Sequence, residues 1–214
     1  MRKEESPLVR IFTDEALIKK IQSKLPKFFA VAELESSRAG KIGMEVGSVR
    51  EQILVAMLVH VFEEKNVETQ IPITRYEEDV KVLDRPISIK TITGNGGIKV
   101  IWTVDAQKAL QFFKSYKPSC DMLLAVISWI NNVKIKSGLF FIPLHVQERT
   151  LKKLGREGYL KLPKVGTNPR GVEISKTAIS EMLNDKDVYC IKIEWKKDSV
   201  LFKPYKRWLD LWNE

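Results

Sequence analysis

The sequence predicts an α/β fold: a mixed sheet flanked by helices, built in the order αβββαβ and followed by additional C-terminal elements. Three observations lead there. Residues 77–93 alternate apolar and polar side chains at period two on either side of a turn, the pattern of a half-buried β-hairpin. Ahead of it, Leu54, Leu58 and Val61 recur at helical spacing. Behind it, residues 121–130 form a near-continuous apolar run, as expected of a strand buried on both faces.

Along the chain, Thr13-Asp14-Glu15 opens a helix through Leu17, Ile18, Ile21 and Leu25 that Pro26 ends or kinks. Residues 36–43 read as a basic, glycine-bearing loop. Ser48 is placed to cap the next helix, with Glu51 three residues on completing a capping box. Glu51 also shares a stripe with Leu54, Leu58 and Val61, so it stands at the edge of the inward face, free for a cap or a functional role. A strand at 67–73, the hairpin and a strand at 98–103 follow, then a helix capped by Asp105 and the apolar strand. Beyond lie a strand pair (133–135 and 139–142), a helix at 145–154, a basic turn-rich loop at 164–171, a helix at 176–183, a strand at 188–195 and an aromatic tail. With 214 residues, 44% of them hydrophobic, and no repeat or linker, the chain reads as one domain, 1–214.

In the hairpin, Val80, Val82, Ile87 and Ile89 form the apolar face. Pro86 is tolerable as the first residue of the second strand. An Asp84-Arg85 loop would pair Asp79 with Lys90, Val80 with Ile89 and Val82 with Ile87. The opposite face then carries Asp79, Lys81, Ser88 and Lys90. Asp79 facing Lys90 fits two readings: a cross-strand ion pair on a solvated face, or a metal-binding carboxylate beside a catalytic cation.

The net charge of +9 argues for a polyanionic partner, usually nucleic acid. Cys120 and Cys190 read as buried, reduced thiols, and with His60 and His145 the only histidines a histidine metal site is poorly supplied. No signal peptide or apolar membrane span is read, so a cytoplasmic protein without an organic cofactor is expected.

Phosphodiester hydrolysis at neutral pH needs a metal and a cation near the reacting phosphate, so two carboxylates and a lysine are the least that suffices. Helix, strands with a hairpin, helix and buried strand is the order of the PD-(D/E)xK nucleases, which the chain resembles. In that superfamily the metal-binding Asp opens the second strand and the Lys lies on the third, the positions of Asp79 and Lys90. The chain departs from the pattern at Ser88, where an acid is usual, and Glu51 on the preceding helix can supply the missing carboxylate. Asp79-Val80-Lys81, Glu63-Glu64-Lys65 and Glu194-Trp195-Lys196 also read (D/E)-x-K. Glu63 and Lys65 sit at a helix end facing different directions. Lys81 has only Asp79 ahead of it and no second carboxylate at the proper strand position, and the topology around Glu194 is wrong.

Residues 41–51, the hairpin and the overall length resemble the ThaI family of type II restriction endonucleases. The resemblance implies a restriction-endonuclease-like fold and a Mg²⁺-dependent homodimer cutting the DNA palindrome CGCG at its centre to blunt ends. It further implies Glu51 and Asp79 as metal ligands with the Ile89 carbonyl, and Lys90 as the catalytic lysine. Arg38, Lys41, Arg50 and Arg170 are the candidate DNA contacts. Met44, between Gly43 and Gly47, fits either a wedge between base steps or a staple against its own helix. Two other functions remain open from residues alone: a non-catalytic nucleic-acid-binding protein, and a nuclease of the same fold acting on another DNA such as a junction.

Overall fold

The computed structural model describes residues 6–37, 44–72, 74–94, 96–129, 136–163, 171–196, 203 and 206–213. A short helix, α1 (Val9–Thr13), precedes the long α2 (Glu15–Ser37). Asp14 caps α2 through its Oδ1, which accepts from the Ala16 and Leu17 amides at 2.9 and 3.1 Å. Pro26 does not end α2. Leu25, Phe29, Ala30 and Ala32 are buried on both sides of it, so packing outweighs the lost hydrogen bond.

Helix α3 (Met44–Phe62) starts a turn earlier than the capping box predicts. Val46 is buried and extends the apolar stripe backwards, while Ser48 is an exposed residue inside the helix, so it caps nothing. Glu63, at φ +68°, breaks the helix into a 3-10 turn at Glu64–Asn66.

The strands follow: β1 (Val67–Glu68), β2 (Val80–Val82), β3 (Arg85–Thr93) and β4 (Ile98–Ile101). Next come α4 (Ala106–Ser115), capped by Asp105 as predicted, β5 (Asp121–Ile127) and β6 (Gly138–Ile142). Residues 133–135, expected as a strand, lie outside the described residues. The chain continues through α5 (Leu144–Tyr159), β7 (Leu160–Lys161), β8 (Val172–Ile174), α6 (Lys176–Leu183), β9 (Tyr189–Lys192) and α7 (Lys206–Trp212).

The main sheet has six strands in the order β1-β2-β3-β5-β6-β9. Strands β3 and β5 are parallel and the other pairs antiparallel, which is the mixed sheet expected. Each face buries its own core. Ile87, Ile89, Leu123, Ala125 and Phe141 pack against α1, α2 and α3, whereas Met122, Leu124, Val126 and Phe140 pack on the side of α5 and α6. Strand β4 leaves this sheet and joins a second one, β4-β8-β7. Gly94 makes that exit: at φ +67° it turns the chain while its amide donates to the Ile127 carbonyl at 2.8 Å.

The hairpin register differs from the prediction by two residues. Val82 pairs with Arg85 and Val80 with Ile87, and the loop is Leu83-Asp84, both at positive φ (+48° and +64°). An Asp84-Arg85 loop would put Pro86 in the hydrogen-bonded pair beside the turn, where its absent N–H is needed. The observed register places Arg85 there instead. A two-residue shift preserves the faces, so Asp79 and Lys90 stay together but as diagonal neighbours. Cys120 is buried as expected, whereas Cys190 is exposed on β9, the sheet's edge strand. Among the described residues no helix is long and apolar enough to cross a membrane.

Candidate active site

Asp79 stands one residue ahead of β2, its amide donating to the Ile87 carbonyl at 3.0 Å. Its Oδ2 accepts from Lys90 Nζ at 2.8 Å, the Ile89 amide at 2.6 Å and Ser88 Oγ at 3.3 Å. None of these bonds falls on Oδ1. A strand residue's N–H and C=O leave the same edge, and the ladder between β2 and β3 has ended by Ile89. The Ile89 carbonyl is therefore on the Asp79 side of β3 without a β2 partner. Ser88, where the superfamily usually has an acid, is buried and acts as a donor to Asp79.

Glu51, one turn before the buried Leu54, approaches from α3 and is half-buried within electrostatic reach of Lys90 and Asp79. Burial pushes its carboxyl up to about 7; Lys90 lowers it and Asp79 raises it. Glu51 does not cap its helix, since α3 begins seven residues earlier. Among the described residues no three His, Cys, Asp or Glu side chains gather to hold a metal. Two carboxylates and a main-chain carbonyl nevertheless make a set of hard oxygen donors, which suits Mg²⁺ better than a transition metal.

Sequence reasoning missed Glu77. Its buried carboxylate accepts from Tyr116 Oη at 2.6 Å and from the Ser119 amide and Oγ at 2.9 and 2.8 Å. These bonds tie the segment leading to Asp79 onto the link between α4 and β5. Burial first, and then Tyr159 and Glu77, push the Tyr116 phenol far above its usual range, so it stays a donor.

Arg50, expected on DNA, is 6% exposed and bonded inside the protein to Glu33 and Thr93, so it offers no face to a ligand. Met44 is the first residue of α3; its side chain, like Arg38, Lys41 and Arg170, lies outside the described residues. The rival triplets form ordinary surface pairs. Glu63 and Lys65, expected to face apart, meet at 2.8 Å because Glu63 leaves the helix, while Glu194 and Lys196 meet at 3.1 Å and Lys81 reaches Glu68 at 2.7 Å.

Residues 11–214 match the model of the restriction endonuclease ThaI family. The chain belongs to that family. A solved restriction endonuclease in complex with substrate DNA is 51% identical to it, with a TM-score of 0.86 over 97% of this chain and 99% of the other. No curated protein matches the chain. This ThaI-family member is a restriction endonuclease with the fold predicted from its sequence.

Proposed function

We propose that the protein is a Mg²⁺-dependent homodimer that hydrolyses double-stranded DNA at the palindrome CGCG, cutting between the central G and C (CG/CG) to leave blunt ends. The observation supporting this most strongly is the meeting of Asp79, Lys90 and the Ile89 main chain, with Glu51 in electrostatic reach, within a ThaI-family fold. Family resemblance supports the target sequence, and a palindrome calls for a two-fold dimer in which each protomer cuts one strand.

Glu51, Asp79 and the Ile89 carbonyl would hold the cation. When bound, Mg²⁺ polarises the scissile phosphate and acidifies the attacking water. Lys90 is kept in place by Asp79 Oδ2, from which its ammonium can orient that water or neutralise charge growing on the phosphate. The bonds from Lys90, the Ile89 amide and Ser88 to Oδ2 also fix the orientation of the Asp79 carboxylate. Arg38, Lys41 and Arg170 contact DNA in this reading. Met44 enters a CG step as an apolar wedge, a use of apolar side chains that pyrimidine–purine steps accommodate at low cost.

Mapping the ends that the protein leaves on a plasmid of known sequence tests the reading. Discrete blunt ends at CGCG, formed with Mg²⁺ and absent with EDTA, are expected. Ends at another sequence would overturn the specificity, and binding without cutting in any divalent metal would overturn the catalytic assignment.

A further inference from the structure

Next to Glu51 in the chain stands a charged side chain that the proposed reaction does not use. Arg50 is 6% exposed, and its guanidinium bridges three parts of the fold. One terminal nitrogen donates to Glu33 of α2, and the other donates to Thr93 Oγ1 at the end of β3 at 2.9 Å. The Glu33 oxygen that receives Arg50 also receives the Trp129 indole N–H, from just beyond β5. Aromatic rings enclose the cluster: the guanidinium lies 5.8 Å from the Phe29 centroid, and Phe29 and Trp129 both meet Trp195.

A buried guanidinium so placed can set a distance. Burial lowers the Arg50 pKa and Glu33 opposes that shift, so removing the Glu33 charge leaves the buried guanidinium without the carboxylate that offsets its desolvation. Thr93 lies three residues beyond Lys90 on a regular strand, about 10 Å along it. Arg50 thus ties the first turns of α3, which present Glu51, to the strand that presents Lys90 and the Ile89 carbonyl.

We infer that Arg50 is a positioning residue: with Glu33 and Thr93 it fixes Glu51 of α3 against Lys90 and Ile89 of β3, at the spacing one divalent cation requires. The inference rests on the metal-dependent reading above. Second-layer groups of this kind commonly change metal affinity or activity by about 10–100-fold when removed.

The test uses Thr93→Val, which removes one hydroxyl at an exposed position, and Glu33→Gln, which keeps shape and removes the charge. Mn²⁺ is titrated calorimetrically into each full-length protein without DNA, and cleavage is followed against Mg²⁺ concentration. Thermal melting and DNA affinity in EDTA are measured alongside. A tenfold or greater weakening of Mn²⁺ binding is expected in both variants, with a matching rise in the Mg²⁺ needed for half-maximal cleavage and unchanged DNA affinity in EDTA. A role confined to stability would lower the melting temperature and leave the metal dependence of the folded protein alone. A shift under threefold in Thr93→Val, the variant least prone to misfold, overturns the inference. Wild-type protein that takes up no Mn²⁺ and cuts in no metal would instead overturn the metal-dependent reading itself.

Discussion

Glu51 makes the pH behaviour of this protein a test of its site. Its folded carboxyl is pushed up to about 7 from an ordinary 4.5, so between those values the folded chain holds a proton that the unfolded chain releases. The resulting stabilisation is fully present below pH 4.5 and is lost as pH rises through 7. A divalent cation needs the carboxylate, so it stabilises more at pH 8 than at pH 6. Melts between pH 5 and 8, with and without Mg²⁺, should show both trends, and Glu51→Gln should flatten them. An unchanged pH dependence in that variant would contradict the assignment. At this scale Asp79 and Lys90 were legible because strand alternation puts both on one face, and Glu51 because it lies on an apolar helix stripe. Arg50 and Glu77 were not. Their partners Thr93, Tyr116 and Ser119 lie 43, 39 and 42 residues away, and no local pattern announces a bond of that span.

The hairpin that carries Asp79 and Lys90 turns through Leu83-Asp84, and Leu83 holds φ +48° at a half-exposed position. A leucine there bears a left-handed backbone penalty of about 1–2 kcal/mol that asparagine largely avoids. Leu83→Asn keeps the amide that donates to the Asn66 carbonyl at 2.9 Å. It should raise the melting temperature by about 2–4 °C and leave cleavage intact, as calorimetry and an activity assay would show. A lower melting temperature would contradict the turn assignment. The sequence misled about this turn because Asp84-Arg85 is the more polar pair, whereas the missing N–H of Pro86 decides the register. It misled about α3 similarly: the capping-box spelling at Ser48 and Glu51 was genuine, but buried Val46 draws the helix back to Met44. In α2 Pro26 is overridden by the buried residues around it.

For the whole molecule, alternation and apolar runs sufficed to place helix, hairpin, helix and buried strand in order, because each period reports which faces are covered. They could not show that β4 leaves the main sheet for β8, since that pairing joins residues 98–101 to residues 172–174. The outcome is a sheet whose parallel pair β3–β5 lies between two cores, with Asp79 and Lys90 meeting at one point along β3 and Glu51 in electrostatic reach. The proposed function puts DNA cleavage at this point. The most direct measurement is single-turnover cleavage of a CGCG duplex in Mg²⁺ by wild type, Asp79→Asn and Lys90→Ala, with DNA affinity of each measured in EDTA. The expected result is binding close to wild type and cleavage slowed by on the order of 100–10,000-fold in both variants. Cleavage by Lys90→Ala or Asp79→Asn at the wild-type rate would contradict it.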